Sequence, residues 1–244
     1  MKNILTAAGQ TGIHRTIEDG YIINMNKPES WSSFDVVRKL RNITRIKKVG
    51  HAGTLDPFAT GVLLVCLGRA TKQVSELMKL PKEYIAELEL GRRTDTLDIT
   101  GEIIGEEDVP ELALEDVRNA LQTFVGKIKQ RIPDYSAAKV GGRRLYKMAR
   151  SGEAVPERYK WVEIHQLDFL GIEGKIVRFR VLCSRGTYVR ALGLDIARKL
   201  GTTGFLRNLS RTRIGDFSID DALDIPGFEQ KWKMLKANEN ISDN

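Results

Sequence analysis

The stretch VGHAGTLDPFATGVLLVCLG, residues 49–68, sets one carboxylate, Asp56, against Pro57 in a glycine-rich loop. Three kinds of chemistry compete for such an arrangement. A phosphate cradle needs its glycines to lead into a helix N-terminus. Here Gly61 leads into a β-type apolar run and no Gly-Lys-Ser/Thr follows, so that reading fails. A pair of carboxylates working as acid and base needs a second acid facing the first. Asp95 and Asp98 in RTDTLDITG are candidates, and the sequence leaves their position relative to Asp56 open. The third reading is a lone carboxylate nucleophile, kept ionised by a nearby cation and aimed by a stiff loop. Against all three stands the plain role of an Asp-Pro pair as a turn initiator, which spacing alone favours.

Other chemistry-bearing residues are sparse. His14, His51 and His165 share no ligand spacing with one another or with Cys66 and Cys183, so no metal site is expected. Both cysteines sit in apolar runs and read as buried free thiols. Charge is more telling. Between Lys127 and Lys160 stand ten Lys or Arg against three acids, an excess as large as the net charge of +7 on the whole chain. Tyr135, Tyr146 and Tyr159 are interleaved with these cations, which favours a nucleic-acid partner over a merely solvated basic face. No apolar run reaches the length of a membrane span and the first twenty residues lack a secretory apolar core, so the chain is expected in the cytoplasm with no membrane partner.

The elements that must position these residues follow from periodicity. YIINM (21–25) reads as a strand that Pro28 stops, and SWSSFDVVRKLRNIT as a serine-capped helix burying Phe34, Val37 and Leu40. VLLVCL is the unbroken run of a strand covered on both faces. ATKQVSELMKL reads as helical, and KEYIAELELG alternates with Tyr84, Ala86, Leu88 and Leu90 on one face. A polar turn and a short strand lead to a helix at LEDVRNALQTFVG, with Leu114, Val117, Leu121, Phe124 and Val125 as its stripe. Strands near 161–170 and 175–183 flank a hairpin signal, the helix YVRALGLDIARKLG ends at Gly201, and two short strands near 205–219 follow. Beyond residue 225 the polar tail is expected to fray. Mixed strands and helices with no repeat or linker give an α+β fold in one domain, residues 1–244, with its core at about 19–223 and the basic insertion at about 127–160.

Five blocks in order resemble the TruB family, the tRNA pseudouridine-55 synthases: NKP, GHAGTLDPFATGVLLVCLGRATK, KEYIAELELGRRTDTLDITG, YSAAKVGGRRLYKMAR and CSRGTYVRALGLDIARKLG. The resemblance implies a mixed, mainly antiparallel sheet with a central cleft, and isomerisation of the T-loop uridine of tRNA after base flipping. It puts Asp56 on the family's nucleophilic aspartate. Tyr84 falls on the tyrosine packing against the target base, and Tyr188 and Arg190 on the motif beside the nucleophile. His51 falls on the histidine that takes up the extruded nucleotide, Leu209 on a pocket leucine and Lys27 on the N-terminal Lys-Pro motif. The RNA-gripping insertion implies tRNA contacts at Lys139, Arg143, Arg144 and Lys147. The chain departs from many bacterial members by ending before any C-terminal RNA-binding domain.

The residue types suit that chemistry. Arg190 would keep Asp56 charged, and Tyr188 could relay a proton to or from carbon. The isomerisation is neither redox nor hydrolytic, so neither metal nor organic cofactor is expected. The expected partner is the T arm of tRNA, bound by a monomer with no protein partner. Two other functions compete: an RNA-binding or RNA-folding protein without essential catalysis, and a carboxylate-dependent hydrolase, for which the sequence identifies no paired acid.

Overall fold

The computed structural model describes residues 4–7, 9–11 and 20–242; His14 lies outside them. Contacts divide the chain into two compact units, residues 1–82 with 210–244, and residues 83–209. The chain passes between them inside the strands Lys82–Leu90 and Gly204–Ile214.

The first unit is built around the strand Thr60–Leu67, the apolar run of the opening loop. One edge pairs antiparallel with the strand Ile22–Lys27, from Ile22 opposite Cys66 to Lys27 opposite Gly61. The other edge is shared. The strand Val49–His51 takes Val65 to Leu67, and the strand Gly204–Ile214 runs parallel to Thr60 and Gly61. Residues 52–59 therefore leave the sheet edge between two partners. Gly61 must be glycine, because a Cβ there would lie 2.2 Å from the Arg211 carbonyl oxygen and its φ is +103°. Leu63, Val65 and Leu67 face one core with Tyr21, Ile23 and Met25, while Val62, Leu64 and Cys66 face another with Ile22, Leu77 and Ile214. Burial on both sides is what makes the run unbroken.

Helix Ser33–Thr44 covers the first of these faces. Ser32 caps it, with its side chain accepting from Asp35 N and Asp35 reaching back to Ser32 N, a reciprocal capping box. Val36, Val37 and Leu40 are buried as one stripe, whereas Phe34, expected in the core, is 58% exposed. Val37 and Leu40 keep their expected places, and Val36, two positions and about 200° around the helix from Phe34, completes the stripe in its stead. The expected frayed tail is instead helical over Ile225–Ser242. Phe228 and Trp232, one turn apart, enter the same core, with the Trp232 ring 5.9 Å from both Tyr21 and Phe228.

In the second unit the strands lie in the order 204–214, 82–90, 176–183, 159–173, 126–131. Tyr159–Glu173 and Ile176–Cys183 form a hairpin whose pairing of Glu173 with Ile176 leaves Gly174 and Lys175 as the turn. Gly126–Arg131 pairs antiparallel with Tyr159–Ile164. Helix Leu114–Gln122 buries Val117, Ala120 and Leu121, but Leu114 and Val125, expected in its stripe, are exposed. Helix Val189–Lys199 buries Leu192, Ile196 and Ala197. The fold is thus α+β with a mixed sheet, parallel where Ile4–Thr6 pairs with Ile22–Lys27 and Thr60–Leu67 with Gly204–Ile214, and antiparallel where Thr60–Leu67 pairs with Ile22–Lys27 and Tyr159–Glu173 with Ile176–Cys183 and Gly126–Arg131. Cys66 and Cys183 are buried free thiols.

Candidate functional site

In the first unit, the backbone around Asp56 is held carbonyl by carbonyl. Arg211, 1% exposed, donates through Nη2 to Gly53 O at 3.1 Å, through Nη1 to Thr54 O at 3.4 Å and through Nε to Val62 O at 2.7 Å. Ser33 Oγ donates to Leu55 O at 3.2 Å and accepts from Leu55 N at 2.8 Å. Ala59 N donates to Asp56 O at 3.2 Å, and Ser30 N to Pro57 O at 2.9 Å. Every carbonyl from Gly53 to Pro57 is engaged, so the half-buried Asp56 side chain projects from a backbone with little freedom.

Lys27, fully buried at the end of its strand, is part of this frame. Its ammonium donates to Pro28 O at 2.8 Å, Trp31 O at 2.5 Å and Pro57 O at 3.2 Å. Burial pushes its pKa down to about 8, opposed by the charge of Asp56 and reinforced by that of Arg211. The lysine is still a cation at pH 7. Its three donors are spent on backbone, so it acts on the loop rather than reaching outward to a ligand. Lys27→Met removes this donor from three carbonyls, of which Pro57 O keeps Ser30 N, and is expected to cost about 2 kcal/mol or more, seen as a lower urea midpoint with an unchanged slope. An unaltered midpoint would show that the loop does not depend on this ammonium. His51 ends the strand Val49–His51, and burial followed by the Arg211 charge lowers its pKa, leaving a neutral imidazole at pH 7.

The second unit holds Tyr84, Tyr188, Arg190 and Leu209. Tyr84 lies on the buried face of its alternating strand and is 8% exposed, and Leu209 is 4% exposed. Tyr188 is the extended N-cap of helix Val189–Lys199, with φ −96° and ψ 103°, and Arg190 stands in the first turn. The fully buried Gln130 clips Tyr188 on both sides, accepting from its N–H at 2.8 Å and donating to its carbonyl at 3.1 Å. Lys160 Nζ lies 3.8 Å from the Tyr188 ring centroid and donates to Gly186 O.

Arg190 is buried and paired. Its Nη1 lies 3.3 Å from Asp98 Oδ2, each side chain 5% exposed. It also donates to Thr96 O and, through Nη2, to Tyr135 O at 2.9 Å. Asp98 Oδ1 accepts from Thr96 Oγ1 at 2.9 Å, Thr100 N at 3.0 Å and Thr100 Oγ1 at 2.5 Å. The turn that presents these groups carries Leu97 at φ 64°, a costly conformation for leucine. Asp95 accepts from Glu102 N at 3.0 Å and from the Tyr135 hydroxyl, whose pKa that bond raises. Both acids weighed as partners for a hydrolytic pair are thus occupied within their own turn. Sequence reasoning missed Arg211, Ser33 and Gln130, and considered Asp98 only as a second reactive acid. The available signal was a charged or amide residue at an inward position of an alternating strand.

The basic insertion forms a small hairpin, Lys139–Val140 with Arg143–Arg144, followed by helix Leu145–Arg150 anchored by the fully buried Leu145. Lys139 is paired directly opposite Arg144, an arrangement of like charges that costs stability and suits a polyanion. Lys147 is exposed on the helix, while Arg143 already holds Glu153 through two bonds of 2.8 and 2.7 Å. Changing Arg143, Arg144 and Lys147 together to Ala is therefore expected to flatten the plot of log tRNA affinity against log salt by about two units, because paired Arg143 releases less counterion. Titrations at several salt concentrations decide it. An unchanged slope would remove this segment from the RNA contact.

Comparison with known proteins identifies the family. Residues 41–189 match the model of the TruB family pseudouridylate synthase N-terminal domain. The tRNA pseudouridine synthase B of Clostridium tetani is 45% identical over 210 residues, covering 86% of this chain and 73% of the relative. That of Phocaeicola vulgatus is 40% identical over 93% of this chain and 99% of its own. Among solved structures, a Cbf5-Nop10-Gar1 complex contains a chain matching with TM-score 0.71 and 29% identity over 91% of this chain. This chain spans 57% of that one. With more than half its residues matched and relatives this similar along most of their length, the chain belongs to the TruB family of pseudouridylate synthases.

Proposed function

We propose that this protein is a tRNA pseudouridine-55 synthase, converting the T-loop uridine of tRNA to pseudouridine with Asp56 as nucleophile. The observation that carries the reading is the aspartate loop, with five consecutive carbonyls anchored, in a chain whose relatives are named tRNA pseudouridine synthase B. A rigid backbone holds one carboxylate ready for a base that arrives only after flipping from its stack. The C1′–N1 bond breaks, the base turns, C5 bonds to C1′, the C5 proton leaves and N1 takes up a proton, and any bond made by Asp56 is broken again before release. Atoms and electrons balance without oxidant, water or cofactor.

Tyr84 packs against the flipped base, Leu209 contacts the bound nucleotide, and His51 helps to take up the nucleotide as it leaves its stack. Tyr188, fixed by Gln130, relays the proton leaving C5. Arg190 acts as the catalytic cation, its guanidinium oriented by Asp98. Lys27 serves binding indirectly, by holding the Pro57 carbonyl. Lys139, Arg143, Arg144 and Lys147 take up phosphates of the T arm. Both compact units belong to one catalytic domain, working as a monomer in the cytoplasm. Among the described residues no helix is long and apolar enough to cross a membrane.

The test is release of tritium from uridine C5 in a labelled tRNA transcript and in a pre-folded T-arm stem-loop. Release is expected with purified protein alone and undiminished by EDTA on the stem-loop. No release from either substrate would refute the proposed reaction, and loss on chelation restored by one divalent ion would refute its cofactor independence.

A further inference from the structure

Trp161 is 72% exposed, more than any other large hydrophobic side chain among the described residues. It stands on the strand Tyr159–Glu173 opposite Lys129, with Tyr159 opposite Arg131 and Glu163 opposite Lys127 on the strand Gly126–Arg131, the last in its sheet. Alternation puts these six side chains on one face, while Val162, Ile164 and Gln130 turn to the other and are buried. Tyr159 is 49% exposed, Lys127 and Lys129 are exposed, and Lys129 Nζ lies 5.1 Å from the Tyr159 ring centroid. Arg131 is engaged by Asp134 at 3.1 Å and Glu157 at 3.5 Å, and Glu163 closes the row beside Lys127. The core gains nothing from an indole held in water, so the ring needs another reason to be there.

We propose that Tyr159 and Trp161, with Lys127 and Lys129, form a stacking platform for unpaired nucleotides of RNA, separate from the phosphate contacts proposed at Lys139, Arg143, Arg144 and Lys147. Residues two apart on a strand are about 7 Å apart, which lets each ring carry a base and lets the ammonium groups meet neighbouring phosphates. Stacking on aromatic faces beside a basic track is how single strands are held without sequence preference. The ammonium groups favour a polyanion over an apolar protein surface. The proposal rests on RNA being the partner but not on the chemistry at Asp56.

The full chain is titrated with an oligouridylate of about eight nucleotides, following tryptophan fluorescence and the anisotropy of a labelled copy. Trp232 is 2% exposed and Trp31 half-buried, so the quenching that Trp161→Leu removes is the part read at Trp161. Saturable quenching is expected in the wild type. Trp161→Leu should abolish it and weaken binding about tenfold, with Trp161→Phe recovering most of the affinity. Changing Lys127 and Lys129 to Gln should flatten the log affinity against log salt plot by about 1.4. Quenching or affinity unaltered in Trp161→Leu overturns the platform. So does a wild-type dimer that this substitution makes monomeric, which would assign the face to a second copy. Pseudouridine formation by the same preparations separates the two readings. Turnover without oligonucleotide quenching sinks only the platform, and quenching without turnover supports it while sinking the reaction.

Discussion

Replacing Asp56 by Asn is expected to abolish isomerisation and to leave tRNA affinity within a few-fold of wild type. The substitution keeps size and hydrogen-bonding capacity but removes the proposed nucleophile. It should also keep the fold, because the loop is fixed through main-chain carbonyls from Gly53 to Pro57 rather than through the Asp56 side chain alone. Losing a covalent or proton-transfer role removes several orders of magnitude in rate, far beyond the tens-fold effects of a positioning change. Single-turnover kinetics with excess enzyme read the chemical step, and filter binding reads affinity. Turnover at a tenth of wild type or more would exclude Asp56 as nucleophile.

Arg190→Lys is expected to slow single turnover by about a hundredfold while changing the tRNA dissociation constant only a few-fold. Lysine keeps the charge but cannot reach Asp98, Thr96 O and Tyr135 O together, which the planar guanidinium does. Asp98→Asn should reproduce part of this defect by freeing the arginine's orientation. Both substitutions disturb a buried pair, so a loss of about 3 kcal/mol or more in unfolding free energy accompanies them. Measuring rates well below the lowered melting temperature keeps the two effects apart. A near-normal single-turnover rate in Arg190→Lys would show that the fork geometry is irrelevant to the chemical step.

How much of this was legible in the sequence depends on the range of the interaction. Local periodicity sufficed for the alternating strand with Tyr84 and the doubly buried Val62–Leu67 run. It failed at one residue of the helix Ser33–Thr44, where Phe34 and Val36 were equally good starts for an apolar stripe and only packing chooses Val36. The C-terminal helix was hidden because two aromatics in a polar tail reveal nothing until a core is there to receive them. Lys27 and Arg211 were hidden for a related reason. Cations default to the surface, and only three-dimensional proximity to orphan carbonyls makes burying them favourable. Asp56, Tyr188 and Arg190 were located by likeness to a family, whereas partners that fix their surroundings lie far away in the chain, Ser33 22 residues from Leu55 and Asp98 92 from Arg190.

The most direct measurement is nucleotide-resolution mapping of pseudouridine in an unmodified tRNA transcript incubated with the wild-type protein and, in parallel, with Asp56→Asn. The account predicts pseudouridine at position 55 in the T loop with the wild type, and none with the mutant. Pseudouridine at other positions only, or formation by the mutant at the wild-type level, would contradict it.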